Sequence, residues 1–252
     1  MSLVTILPFV VNDATLPVIS PSDLRLFSEI EVLSYEHWIF DAASPDVLVG
    51  RNNGRHLTPQ SVAPTYSSNF LTIDGAMGKA LLTDLGETVG GARTIWAVIR
   101  DPYAGGGIRI PFGTLDSVTN KGGAPFMSGS VYPRSLFHTY RGVSNSVNTN
   151  MTVGNTGFVF LMLSYDFTGP TKIIRTLVGG QAGHEFTVST PFAASSANKL
   201  ALGNAFYGGS GPGGMDVAEL GTVDGIAYTL ADGEVLHLRS KDRMTKRGIA
   251  LV

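Results

Sequence analysis

The chain has 252 residues, of which 43% are hydrophobic and 15% charged, against a usual charged share of about 25%. That balance excludes a disordered chain and a coiled coil, and it provides enough apolar surface for one core of the size that all-β domains fill. Eighteen basic against 20 acidic residues give a net charge of −2, which excludes nucleic-acid binding through a broad basic face. Cys is absent, so disulfides, thiolate nucleophiles and Cys-ligated zinc are excluded too.

In chain order, Met1–Val11 is apolar and reads as a strand. It carries no basic residue, and the first is Arg25, so it does not have the pattern of a secretory signal. Pro8 and the short apolar run exclude a membrane span. Ser22 or Asp23 is placed to cap a short helix. Residues 1–35 are read as an extended linker or assembly segment, and residues 36–252 as one domain.

From Glu36 onward short β-rich runs recur. They are His37–Asp41, Val47–Gly50, Phe70–Ile73, Lys79–Leu82, Arg93–Arg100, Ile108–Ile110, Leu136–Tyr140, Phe158–Asp166, Lys172–Val178, Phe186–Val188, Leu200–Gly203 and Met215–Leu220. Arg93–Arg100 is the clearest, and it ends at Asp101-Pro102. Between the runs stand turn signals: Asn52-Asn53-Gly54, Gly105-Gly106-Gly107, Asn120-Lys121-Gly122-Gly123 and the Asn-rich stretch 145–150. Gly at 31 of 252 residues supplies the positive φ that many tight turns need. Only the end predicts a helix. Thr229 and Asp232 have the spacing of a capping box, Leu230, Val235, Leu236 and Leu238 form an apolar side, and Arg239, Lys241 and Arg243 suit its C-terminal end. Many strands and one late helix predict an all-β antiparallel two-sheet sandwich with a short C-terminal helix.

Four stretches in this order resemble the concanavalin A-like jelly-roll superfamily, especially laminin-G-like domains of phage and bacterial surface proteins. They are His37–Asp41 with Arg51–Thr58; Thr94–Arg100; Phe158–Asp166 with Val178-Gly179-Gly180; and Leu200–Asn204, Gly213–Leu220 and Tyr228–Val235. The resemblance covers about residues 36–243. It implies a jelly roll, and it brings in one ion that relatives hold at the sandwich rim, calcium, for which Asp41, Asp46, Asp101 and Asp166 are the candidate oxygens. No other cofactor is expected.

One branch of the superfamily consists of retaining glycosidases with the strand motif Glu-x-Asp-x-x-Glu. The matching segment, Gly214–Glu219, keeps Asp216 and Glu219 but has Gly214 at the first carboxylate, so hydrolysis is not expected. Instead, Asp216 or Glu219 is expected at a strand edge, solvated or hydrogen-bonded. The five His residues (37, 56, 138, 184 and 237) have no ligand spacing. Ser210, in the Gly208–Gly213 turn, has no nucleophile-elbow context. Trp38 and Trp96 are assigned to the core. Sugar recognition needs loop aromatics beside Asn and Asp, and Asp101, Tyr103, Asn204 and Tyr207 are the candidate ligand-binding residues, with Tyr132 and Phe206 as further loop aromatics.

The sequence thus predicts a non-enzymatic structural or interaction protein: a tailed-phage virion component, as tail, fibre or decoration subunit. Its expected partners are other virion subunits, further copies of itself and host-surface polysaccharide, with neither nucleic acid nor membrane insertion. The alternatives are a soluble carbohydrate-binding module and, third, a glycoside hydrolase or lyase.

Overall fold

The computed structural model describes residues 35–86, 91–103, 105–140, 146–188, 198–209 and 213–252. The strand expected over Met1–Val11, the helix expected at Ser22 or Asp23, and Ser210 lie outside the described residues. In chain order the strands are β1 (Tyr35–Ile39), β2 (Thr58–Pro59), β3 (Thr65–Tyr66), β4 (Leu71–Ile73), β5 (Leu81–Gly86), β6 (Ala92–Arg100), β7 (Phe112–Gly113) and β8 (Ala124–Ser128). They continue with β9 (Arg134–Thr139), β10 (Ser146–Val153), β11 (Val159–Asp166), β12 (Lys172–Val178), β13 (His184–Val188), β14 (Lys199–Leu202) and β15 (Met215–Asp224). The helix α1 (Leu230–Lys246) follows.

One layer is an antiparallel eight-stranded sheet in the order β13-β12-β11-β6-β15-β4-β3, with β1 also paired to β15. The expected second sheet is divided in two: a four-stranded sheet, β2-β5-β14-β7, and a three-stranded sheet, β10-β9-β8. Side chains from all three sheets form one buried cluster. Ile95, Ala97, Ile99, Leu161, Leu163, Val217 and Leu220 of the large sheet meet Leu81, Phe112, Leu200 and Leu202 of one facing sheet and Met127, Leu136, Met151 and Val153 of the other. The alternate side chains of the large sheet face α1. A Cβ added at Gly233 of α1 would lie 2.5 Å from Met162 and 3.0 Å from Leu177, so the helix backbone rests directly on β11 and β12. With both faces covered, β6 is buried at every position but its last. This is why its sequence reads as a continuous apolar run rather than an alternation.

Several expectations are corrected. Val47–Gly50 is not a strand: Pro45–Leu48 is a 3-10 turn capped by Ser44, and Val49 makes only an isolated bridge to His56. Ile108–Ile110 contributes only the bridge from Arg109 to Met127. The Asn-rich stretch is a strand, β10, and its loop-like composition marks a register shift between Asn148 and Thr152, with Asn150 at φ 60. The helix is not short but has 17 residues. Its capping box forms as expected: the Asp232 N–H donates to the Thr229 hydroxyl (3.2 Å), and the Thr229 N–H donates to the Asp232 carboxylate (2.9 Å). Its buried side, however, is Gly233, Leu236, His237, Ser240 and Met244, whereas Val235 and Leu238 face solvent.

Candidate functional site

The Asp216–Glu219 segment lies in β15, which is paired on both sides, and not at a strand edge. A bulge between Val217 and Glu219 turns Val217 into the sandwich core and Glu219 to the helix-covered face. Both carboxylates are buried and hydrogen-bonded. Asp216 accepts from Arg100 (2.6 and 2.9 Å) and from the Thr72 hydroxyl (2.6 Å), and the Arg100 guanidinium lies over the rings of Phe70 and Phe158. Glu219 accepts from the Trp96 indole (3.1 Å), the Ser240 hydroxyl (2.8 Å) and Arg243 (2.6 Å), and His37 Nε2 lies 3.1 Å away. Burial alone would raise the Glu219 pKa, but Arg243 and His37 override it and hold the carboxyl well below the usual range. A glycosidase acid needs the opposite, a carboxyl that keeps its proton near neutral pH. The cluster fastens α1 to β15.

The four candidate ligand residues are brought to one end of the sandwich, where three of them act as supports. Asp101 is fully buried and faces Arg134 Nε at 2.8 Å and Arg109 Nε at 3.9 Å. The Tyr103 N–H donates to the Asp101 carboxylate (3.3 Å), and the Tyr103 carbonyl accepts from the Tyr132 hydroxyl (2.6 Å) and from Arg134 (2.9 Å). Asn204 is buried; its amide donates to the carbonyls of Tyr207 (2.9 Å) and Gly75 (3.3 Å) and accepts the Tyr207 N–H (3.0 Å). Its own carbonyl accepts from the Gly78 N–H (3.2 Å), so Asn204 ties the 74–79 loop to the 204–207 turn. Tyr207 packs into a small core with Ile110, Leu115 and Phe126. Of the four only Tyr103 is exposed, at 39%, and the Arg109 guanidinium lies over its ring, 5.2 Å from the centroid. That ring lies on Gly213, whose φ of +123 and missing Cβ permit the contact; an added Cβ would sit 2.3 Å from the ring.

Gly213 is also a wall of a groove of about 470 Å³ formed with Thr65, Thr72, Asp74, Lys79 and Gly214. Asp74 accepts from the Ala76 N–H (2.8 Å) and from Lys79 Nζ (2.7 Å). The Lys79 hydrogen bond and then that N–H lower its pKa, so it is an ionised acceptor at neutral pH. A groove that holds a fixed carboxylate, an ammonium and two threonine hydroxyls, and whose Gly213 wall carries an exposed aromatic ring, can pair the hydroxyls of a pyranose. Sequence reading missed Asp74, Lys79, Thr65 and Thr72. The available signal was the Asp74-Gly75 turn between two apolar runs, which is a loop signal without chemistry until Gly213 closes on it.

The oxygens expected for calcium do not fit that ion. Asp41 pairs with Arg51, Asp46 bonds the Ser44 cap, Asp101 stands between two guanidiniums and Asp166 accepts from Thr168. Among the described residues no three His, Asp or Glu side chains group as a metal requires. Trp38 and Trp96 are fully buried, as expected.

No protein-family model matches the chain, and no curated protein matches it significantly. Solved structures do. The binding domain of botulinum neurotoxin serotype G superposes with a TM-score of 0.56 at 9% identity, covering 82% of this chain and 51% of that one. The serotype D ligand-binding domain in complex with N-acetylneuraminic acid gives 0.55 at 6% identity, over 81% and 50%. Trypanosoma rangeli sialidase in complex with sialic acid gives 0.55 at 12%, over 85% and 34%. The chain thus spans about half the length of the toxin structures and a third of the sialidase. At these identities the likeness establishes architecture alone: the chain has the fold of a concanavalin A-like jelly-roll sandwich.

Proposed function

We propose that this protein binds carbohydrate without catalysis, in the groove between Asp74 and Gly213, with Tyr103 as the stacking ring at its rim. The observation that carries the reading is the exposed Tyr103, whose backbone is locked by Asp101, Tyr132 and Arg134 and whose ring lies on Gly213, a wall of the groove that the ionised Asp74 also lines. The groove volume of about 470 Å³ falls within the ~300–1,000 Å³ of small-molecule sites. The serotype D toxin domain and the sialidase are described with bound sialic acid, which supports reading this fold as a scaffold for saccharide contact. The inward, ion-paired setting of Asp216 and Glu219 supports binding without hydrolysis.

A glycan array spanning bacterial surface polysaccharides, followed by calorimetry on the hits, tests the reading. Tyr103→Ala is expected to weaken binding by about 1–3 kcal/mol, the cost of losing a packed aromatic anchor, and Asp74→Asn to weaken it as well. Binding that neither variant alters, or an array without hits, overturns it.

We further propose that the domain serves a tailed-phage particle as a tail, fibre or decoration subunit. In this reading residues 1–35 attach it to neighbouring subunits, including copies of itself, and the groove meets host polysaccharide. The apolar, β-branched-rich sequence of Met1–Val11, which precedes the first described strand in the chain, supports this. A chain lacking residues 1–30 is expected to stay out of assembled particles, and its normal incorporation would refute the attachment role.

A further inference from the structure

We propose that the outer face of the four-stranded sheet carries a second binding site, separate from the Tyr103 groove and selective for saccharide units bearing a carboxylate or sulfate. An open groove of about 660 Å³ runs there, lined among others by Asn53, Arg55, His56, Thr58, Asp84 and Lys199. Two permanent cations face one carboxylate, so the groove has a surplus positive charge on a molecule whose net charge is −2. Leu82 supplies an apolar strip of floor, while Thr58 and Asn53 supply groups for sugar hydroxyls.

The competing reading is an ordinary solvated ion pair, since Arg55 and Asp84 are both partly exposed and such pairs contribute little. Two observations favour a site. First, the turn that presents Arg55 is held from within. Glu36 is fully buried, and its carboxylate accepts the backbone N–H groups of Asn52 (3.1 Å), Asn53 (3.1 Å) and Arg55 (3.1 Å). The buried Trp38 indole donates to the Arg55 carbonyl at 3.0 Å. A carboxylate taken out of water is costly unless fully hydrogen-bonded, and here its bonds go to shaping residues 52–55 at the groove wall. The Arg55 backbone is therefore preorganised, which lowers the entropic cost of placing its guanidinium on a ligand.

Second, cations from two separate elements meet at Asp84, one on its carboxylate and one on its backbone carbonyl. Arg55 Nη1 donates to the Asp84 carboxylate at 2.7 Å, and Lys199 Nζ donates to the Asp84 carbonyl at 3.2 Å. The guanidinium carries five donors in a fork that matches a carboxylate or sulfate edge, and the Asp84 carboxylate occupies part of it. In this site Asp84 acts as a built-in competitor that an incoming anion displaces. Among the described residues its lining holds no Phe, Tyr or Trp, so it selects by charge, whereas the first groove, with Asp74 and Lys79 balanced, selects by ring stacking.

The test is calorimetric titration of the full chain with tetragalacturonate, its methyl ester and a carrageenan tetrasaccharide. The two acidic probes separate a carboxylate from a sulfate preference, and the ester keeps the ring while removing the charge. At least one acidic probe is expected to bind, more weakly as salt rises, with the ester at least tenfold weaker. Arg55→Gln combined with Lys199→Gln is expected to cost tenfold or more, while Tyr103→Ala leaves this binding unchanged, which separates the outcome from the fate of the first groove. Asp84→Asn is expected to tighten binding several-fold, a gain that a merely structural ion pair would not produce. Equal binding of acid and ester, absence of binding by both acidic probes at millimolar concentration, or no gain with Asp84→Asn overturns the proposal. So does unchanged binding by a double variant that melts like the parent.

Discussion

His138 shows how one residue couples the core to solution pH. It sits in β9 of the facing layer, beside Ile95, Leu163 and Phe167, and its Nδ1 has no hydrogen-bond partner. Burial pushes its pKa down to about 3. His37 is also lowered, mainly by burial, against the opposing pull of Glu219. For both, the unfolded chain binds the proton more readily than the folded one, so stability is full above pH 6.5 and falls as pH drops below it. Between pH 7 and 5, His138 alone is expected to cost about 2 kcal/mol. Urea unfolding at the two pH values should show this loss, and His138→Leu should remove about that much of the difference. An unchanged difference would place the effect elsewhere. Below about pH 4.5 the lowered carboxyls, Glu219, Asp74, Asp116 and Asp166, add further losses in the same direction. Nothing in the local sequence marks His138. Its neighbours Phe137 and Thr139 suit a strand, and its burial depends on a sheet formed elsewhere in the chain.

For elements, α1 is the instructive case. Its start was legible because a capping box is a local device: Thr229 and Asp232 satisfy each other's backbone within one turn. Its inward face was not legible, because the apolar pattern is broken by Gly233, His237 and Ser240, which face the sheet for reasons of space and polarity. Gly233 admits Met162, and Ser240 reaches Glu219, a residue on another element. Arg243, which suits a helix C-terminus, turns inward to the same carboxylate. Removing the charge from Glu219 therefore leaves Arg243 and His37 without their shared partner. Glu219→Gln is expected to destabilise the fold by about 3 kcal/mol, read as a lower denaturation midpoint. A shift under 1 kcal/mol would show that α1 is held by apolar packing alone.

For the whole molecule, the described core cluster begins at Trp38 and the first described strand at Tyr35, and residues 1–30 precede both in the chain. Their deletion is expected to leave a cooperative unfolding transition, with a midpoint within about 4 °C of the parent, the shift that roughly 1 kcal/mol produces at this size. A larger fall would make the segment part of the fold.

The long strands β6, β11, β12 and β15, the capped helix and the buried tryptophans were determined by the sequence alone, since each rests on neighbours two to four residues apart: β pattern, turn glycines and capping spacing. The split of the facing layer, the bulge that turns Glu219 to the helix-covered face, and the choice of Tyr103 over Asp101, Asn204 and Tyr207 as the exposed group were decided only by tertiary structure. They depend on contacts between residues far apart in the chain, such as Gly213 with Tyr103, Asn204 with Gly75 and Arg55 with Glu36. A linear pattern cannot specify which distant backbone closes on a side chain, and that closure is what separates a binding surface from its support.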